Sequence, residues 1–187
     1  MIAQDLFKRG MRSLAGGVCL ITTLDDQKRH GLVATAVASV SADPPSLLVG
    51  VNRTASAHDP IVRSEIFCVN VLGRAHEGTA RLFGSPEHRD VRFAPGAWTR
   101  LKTGAPVFVE ALAAFDCEVA RIVPYGTHTL WIGRVVAARV AEGTPDPLVY
   151  VDGRYCGIDS DSFGLGTGGG HSDDRPSQPV ATSAAMA

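Results

Sequence analysis

Gly31-Leu32-Val33-Ala34-Thr35-Ala36-Val37-Ala38-Ser39-Val40-Ser41 runs into Asp43-Pro44-Pro45 and then into Ser46-Leu47-Leu48-Val49-Gly50-Val51. The first segment is small, hydroxyl-rich and compatible with a strand. The proline pair stops it, and Ser46–Val51 then reads as a continuous apolar strand buried on both faces. Working outward, Val18–Leu24 is a short β-rich run, and the polar Asp25–His30 reads as a turn between strands. Gln4–Leu14 carries Leu6, Phe7, Met11 and Leu14 at helical spacing and ends at Ala15-Gly16-Gly17. Downstream, Ala55–Glu65 reads as a helix with Pro60 in its first turn, followed by a strand over Ile66–Leu72 and a helix over Ala75–Phe83. Gly84–Gly104 is irregular, with Trp98 as its large anchor. Val107–Val123 and His128–Val140 are long β runs separated by Pro124-Tyr125-Gly126, and Leu148–Val151 is a last strand that turns at Asp152-Gly153 toward Tyr155. About six or seven strands with three helical segments, and no regular strand–helix alternation, disfavour a doubly wound parallel sheet. A mainly β fold, an antiparallel barrel with flanking helices, fits better.

The 187 residues suit one domain, placed here at 1–158. From Asp159 to Ala187 the chain is rich in Gly, Ser, Pro and Ala, and is read as a flexible tail outside the core. A net charge of −1 argues against a protein that wraps nucleic acid. Cys19, Cys68, Cys117 and Cys156 form no metal-type cluster and sit in apolar runs, which suits reduced thiols in the cytoplasm. Met1-Ile2-Ala3-Gln4-Asp5 does not read as a signal peptide, and no stretch approaches the ~18 apolar residues of a membrane span.

Several catalytic signatures fail on their first requirement. The tail glycines lack the strand and helix that a dinucleotide fingerprint needs. His76-Glu77 is followed by Ala80 where a zinc-protease helix needs its second histidine. No Walker lysine and no G-x-S-x-G elbow occurs. Three segments remain. In Gly31–Ser41, small residues admit a flat ligand to the backbone and hydroxyls can bind a phosphate; the segment equally reads as a strand with a polar outer face. Asn52-Arg53-Thr54-Ala55-Ser56-Ala57-His58 leaves a strand for a helix, and reads both as an anion site and as an N-cap. Gly126-Thr127-His128 opens the long β run, where a histidine is either structural or functional.

Taken in order, these segments resemble the short-chain flavin reductases, the reductase components of two-component flavin-dependent monooxygenases. The quoted matches are Leu14-Ala15-Gly16-Gly17 through Thr23, Gly31 through Ser41, Asp43-Pro44-Pro45 to Asn52-Arg53, Ser56 and His58, and Phe67-Cys68-Val69-Asn70-Val71-Leu72. They continue with Gly104-Ala105-Pro106-Val107, Cys117-Glu118-Val119, Gly126-Thr127-His128 to Val135, and Leu148-Val149-Tyr150 to Tyr155. The family's Thr and Phe in the first loop are Val33 and Val37 here, which removes a hydroxyl and leaves a backbone contact.

The resemblance implies an FMN-binding split β-barrel of Greek-key, antiparallel type, a homodimer with flavin at the subunit junction, and reduction of FMN or FAD by NADH or NADPH. The reduced flavin would then diffuse to a separate monooxygenase. It places Thr35, Ala36, Ser39, Val40 and Ser41 against the flavin, and Asn52, Arg53 and Ser56 on ribityl or phosphate oxygens. Phe67 and Asn70 would support the pocket from the next strand. His128, with Gly126, would position the nicotinamide. Arg154 and Tyr155 would close the edge or touch the nucleotide, and Arg92-Phe93 matches a family R-F pair near the flavin. Such chemistry needs placement at a reacting distance of about 3–3.5 Å rather than a triad or a metal. A flavin-binding carrier or sensor on the same barrel is the alternative. An oxidase resembling pyridoxamine phosphate oxidases would need a further basic cluster, and none beyond Arg53 is evident from the sequence.

Overall fold

The computed structural model describes residues 2–158. The tail assigned to 159–187 lies outside the described residues. In chain order the elements are helix α1 (Gln4–Arg12), strands β1 (Gly16–Gly17), β2 (Cys19–Asp25), β3 (Lys28–Ala34), β4 (Val37–Ala42) and β5 (Pro45–Asn52), helix α2 (His58–Ser64) and strand β6 (Ile66–Val71). A 3-10 turn (Arg74–His76) leads into α3 (Glu77–Gly84), and a second (Pro86–His88) precedes strands β7 (Trp98–Arg100), β8 (Pro106–Phe108), β9 (Ala113–Tyr125), β10 (His128–Val140), β11 (Val149–Val151) and β12 (Arg154–Cys156).

Seven strands form the main sheet in the order β3-β2-β6-β9-β10-β5-β4, and every pairing in it is antiparallel. β3 and β4 are its two edges, yet only Thr35 and Ala36 separate them in sequence. Laid flat, six inter-strand spacings of about 4.8 Å would part the edges by about 29 Å. Three Cα steps of 3.8 Å span about 11 Å at most. The two-residue link therefore forces the sheet to roll until its edges meet, with the split between β3 and β4. The mainly antiparallel split barrel inferred from the sequence is the fold observed.

The expectation of one continuous strand over Gly31–Ser41 is corrected. The chain breaks at Thr35-Ala36, where the Val37 N–H donates to Thr35 O (3.0 Å) and the Gly50 N–H to Ala36 O (2.8 Å). The turn over Asp25–His30 shrinks to Asp26 and Gln27, whose φ values of 47° and 62° give the mirror-image turn that matches strand twist. The Val107–Val123 run divides into β8 and β9, and β9 continues through Pro124. The helix expected from Ala55 starts at His58, because Asn52 Oδ1 takes the Thr54 N–H (3.0 Å) and ties the preceding residues into a turn. The described strand segments number twelve rather than six or seven, the excess being short pairings outside the main sheet.

Of three core clusters among the described residues, two hold the roll. Inside it, Ile21, Val49, Val51, Phe67, Val69 and Trp131 pack against Ile61 of α2. Gly133 is required there: a Cβ on it would lie 2.4 Å from Phe67 Cζ. Beneath α3, Phe83, Phe93 and Phe108 pack with Leu20, Leu72 and the half-buried Trp98. α1 buries none of its residues, and its Leu6, Phe7 and Met11 are exposed.

Candidate functional site

Where the sheet edges approach, a cleft of about 430 Å³ opens. One wall is the end of β3 and the bend Thr35-Ala36. The floor is Gly50, Val51 and Asn52 of β5 with Thr54, Ala55 and Ser56 of the following turn. His128, at the start of β10, stands at the edge. Phe83 and Gly84 from the end of α3, with Ser85, Pro86, Arg89 and Arg92 from the loop after it, complete the far side. A Cβ on Gly50 would meet Ala36 Cβ at 3.3 Å and Leu130 Cδ2 at 3.4 Å, so glycine keeps the floor low where the bend crosses it.

The cleft is cationic. No carboxylate lines it, whereas Arg89 and Arg92 do. Arg92 is only 4% exposed and has no ion-pair partner among the described residues. Its Nη1 donates to Gly31 O and weakly to Ser56 Oγ (3.5 Å), its Nη2 donates to Ser85 O (3.1 Å), and its Nε has no partner. Burial, and then the nearby Arg89, pull the guanidinium pKa down from its usual value. Asp90 offsets only part of this, and a buried cation without an ion-pair partner carries a desolvation cost that a bound anion would reduce. The arrangement fits a flat, anionic ligand laid across small residues, as a flavin nucleotide would be.

Of the residues singled out from the sequence, Thr35, Ala36, Asn52, Ser56 and His128 line this cleft together. Thr127 Oγ1 lies 2.9 Å from His128 Nδ1, and His128 pairs across the sheet with Asn52. Gly126 forms the β9–β10 turn with φ +56° just outside. The others lie elsewhere. Arg53 is exposed outside the lining, and its backbone N–H donates to Thr127 O (3.0 Å). Ser39 and Ser41 face a separate apolar groove, and Val40 is exposed, because β4 continues past the bend onto the opposite sheet edge. Phe67 is buried inside the roll. Asn70 is fully buried: its Nδ2 donates to Leu20 O (3.3 Å) and Thr22 Oγ1 (3.1 Å), and its Oδ1 accepts the Phe108 N–H (2.8 Å). Phe93 packs edge-on against Phe83 and Trp98, one layer behind the wall. Tyr155 lines an adjoining cleft, and Arg154 is exposed and donates to Asp152 (3.1 Å).

Comparison with known proteins decides the family. Residues 11–159 match the model of the flavin reductase like domain. The chain belongs to this family. A relative from Bradyrhizobium diazoefficiens, "FMN reductase (NADH) RutF", is 43% identical over 154 residues, covering 82% of this chain and 85% of the relative. BorF, the flavin reductase component of a bacterial two-component tryptophan halogenase, superposes with a TM-score of 0.76 at 31% identity, over 83% of this chain and 98% of its own. The Streptomyces globisporus NADH:FAD oxidoreductase SgcE6, solved with NAD and FAD fragments, gives a TM-score of 0.78 at 26% identity, covering 85% and 94%. This chain is thus an oxidoreductase of the flavin reductase family, and nicotinamide-dependent flavin reduction is the activity the family match supports.

In this flavin reductase Thr54, part of the Asn52–His58 segment read as an anion site, lines the cleft, whereas Arg89, Gly84, Ser85 and Pro86 line it with no sequence motif to mark them, and Arg92 is marked only by the R-F pair. Reading the sequence marks no basic cluster beyond Arg53, whereas Arg89 and Arg92 come together at the cleft. Arg92 sits between an exposed Val91 and a buried Phe93 in an irregular loop, so beyond the R-F pair no local pattern marks its burial.

Proposed function

We propose that this flavin reductase uses NADH to reduce FMN, and releases the reduced flavin to a separate flavin-dependent monooxygenase. The observation that carries the reading is the acid-free cleft with a buried, unpaired arginine in its wall and a histidine at its edge. The names of the relatives support NADH and FMN, and the BorF likeness supports a reductase that serves a separate enzyme. When bound, the nicotinamide supplies a hydride and the flavin ring accepts it, with one proton taken from solvent. The backbone and small side chains of Thr35, Ala36 and Gly50 set the plane on which a ring lies. Ser56 and Asn52 hold polar substituents, with Arg92 and Arg89 supplying the positive charge. His128 orients the nicotinamide carboxamide from the rim. Phe67, Asn70 and Phe93 act from behind, fixing the strands that carry these groups. Arg53 and Gly126 shape the rim beside His128.

A homodimer is part of the same proposal. The apolar groove bordered by Val37, Ser39, Ser41, Leu47, Val71 and Phe115, with Val40 and the apolar face of α1 exposed, offers a surface for a second copy. No helix among the described residues is long and apolar enough to cross a membrane, and three buried cysteines suit a reducing cytoplasm. Steady-state NADH oxidation by the purified protein tests the activity. It should require added FMN or FAD; NADH oxidation that flavin does not stimulate would refute it.

A further inference from the structure

His58 opens α2 and is bonded to two segments of the cleft. Its backbone N–H donates to Ala55 O (3.0 Å), which fastens it to the turn in the cleft floor. Its ring crosses to β10, where Nε2 lies 2.9 Å from Oγ1 of Thr129, the residue after His128. Nδ1 lies 2.7 Å from Asp59 Oδ1. That bond holds the Asp59 carboxyl below its usual range, and an ionised carboxylate only accepts, so Nδ1 carries the ring proton. In the neutral ring the Thr129 hydroxyl then donates to Nε2. The buried Trp131 packs against the imidazole, with ring centroids 5.1 Å apart. An acid, an imidazole and a hydroxyl in this order match a nucleophile and its base. Thr129, however, is only 3% exposed and lines none of the clefts described above, so no substrate reaches its oxygen. What the chain of bonds does is fasten α2 to β10.

We propose that His58 is a positioning residue for flavin reduction: through Thr129 it fixes His128, which orients the nicotinamide, against the turn that holds the flavin. The inference rests on the flavin-reductase reading. The surfaces for nicotinamide and flavin come from different segments, the start of β10 and the turn after β5. Backbone contacts join them at the register pair His128–Asn52 and where the Arg53 N–H donates to Thr127 O (3.0 Å). Both lie at strand ends, where pairing frays. His58 adds a side-chain bond one residue further in, and its ring is only 12% exposed, so water competes little for it. Hydride transfer needs reacting atoms about 3–3.5 Å apart, and a displacement of about 1 Å costs on the order of 100-fold in rate. A loosened fastening therefore slows transfer while each cofactor keeps its own contacts.

Anaerobic single-turnover reduction, read as bleaching of FMN on mixing with NADH, isolates the transfer step. Thr129→Val keeps the side-chain shape and removes the hydroxyl. It should slow transfer about tenfold or more at saturating NADH, with FMN affinity within about twofold of wild type. Thr129→Ser keeps the hydroxyl and loses a methyl, and should transfer within about threefold of wild type. A purely packing role would reverse that order, with Ser the worse of the two. His58→Asn keeps a donor for Asp59 but is too short to reach Thr129, so it should match Thr129→Val, and it serves if that variant does not fold. The double variant should be no slower than either single one, because both remove one bond. Unslowed transfer in Thr129→Val or His58→Asn, or slowing matched by an equal loss of FMN affinity, would overturn the role. If the wild type itself does not reduce FMN, the proposed activity fails and hydrogen exchange decides the fastening alone. In Thr129→Val the Arg53 and His58 amides should then exchange about tenfold faster while that of Val69 in β6 does not change; unchanged exchange at Arg53 and His58 would overturn it.

Discussion

Replacing Arg92 with Met removes the charge and the fork while keeping most of the aliphatic stem. In the free protein the change works both ways. The carbonyls of Gly31 and Ser85 lose their donor, which costs about 1–3 kcal/mol, and a buried cation with no ion-pair partner disappears, which returns desolvation of a similar size. Stability should therefore move little. Binding has no such compensation, because a bound anion loses its charge-assisted partner, worth about 1.5–3 kcal/mol. That corresponds to a roughly 10- to 150-fold rise in the FMN dissociation constant. Fluorescence titration of Arg92→Met against wild type reads it directly. Riboflavin in parallel separates the phosphate from the ring: a phosphate role spares riboflavin, and a ring role weakens both. Arg53→Ala, outside the cleft lining, should change FMN affinity less than about twofold on the same reasoning. A folded Arg92→Met protein that binds FMN within twofold of wild type would refute the argument that the unpaired guanidinium is there for an anion.

His128→Ala should raise KM for the nicotinamide by about fivefold, one neutral hydrogen bond, and more than KM for the flavin; the reverse order would remove its assigned role. Burial pushes the thiols of Cys19 and Cys117 up to about 12 and that of Cys68 well above its usual value, while Cys156 is exposed. At pH 8 a thiol reagent should find one fast cysteine in the native protein and four after denaturation; a second fast thiol would contradict the burial. Unfolded cysteines lose protons near 8.5 while these three keep theirs, so stability falls as pH rises above 9, by up to about 1.4 kcal/mol per pH unit for each thiol. Denaturant midpoints that match at pH 8 and 10.5 would contradict that sign. Gly133→Ala places a Cβ 2.4 Å from Phe67 Cζ and 2.9 Å from Cys117 Cβ. It should cost about 1–3 kcal/mol through overpacking, a fall of several degrees in Tm; a Tm within one degree of wild type would show that the core gives way there.

What the sequence revealed follows from how local each signal is. The hairpin at Asp152-Gly153 is legible because Asp tolerates positive φ and Gly, without a Cβ, adopts it freely, and both residues take it here (49° and 77°). The break at Thr35-Ala36 is not legible, because Val33–Val40 holds no Gly, Pro, Asn or Asp to mark a turn and only the closing of the sheet bends the chain. The same bend turns Ser39 and Ser41 away from Thr35, so a motif contiguous in sequence divides between two surfaces. Arg53 is a cation beside hydroxyls in the sequence, yet it follows the end of β5 and is exposed outside the cleft lining. Arg92 lies in an irregular loop whose path depends on the aromatic packing of Phe83, Phe93 and Trp98, which no periodicity announces.

Because β3 and β4 are consecutive in sequence yet lie at opposite edges of the sheet, the bend between them gains its native surroundings only after the five intervening strands have paired. Those pairings are long-range, and their loop-closure entropy must be met first, which makes the final rolling slow compared with hairpin formation. The cleft should then form late on folding and open early on unfolding. Ligand occupancy at Thr35-Ala36 would act as a latch on the whole roll, so protection of the β3 and β4 amides from hydrogen exchange should rise together when flavin is added.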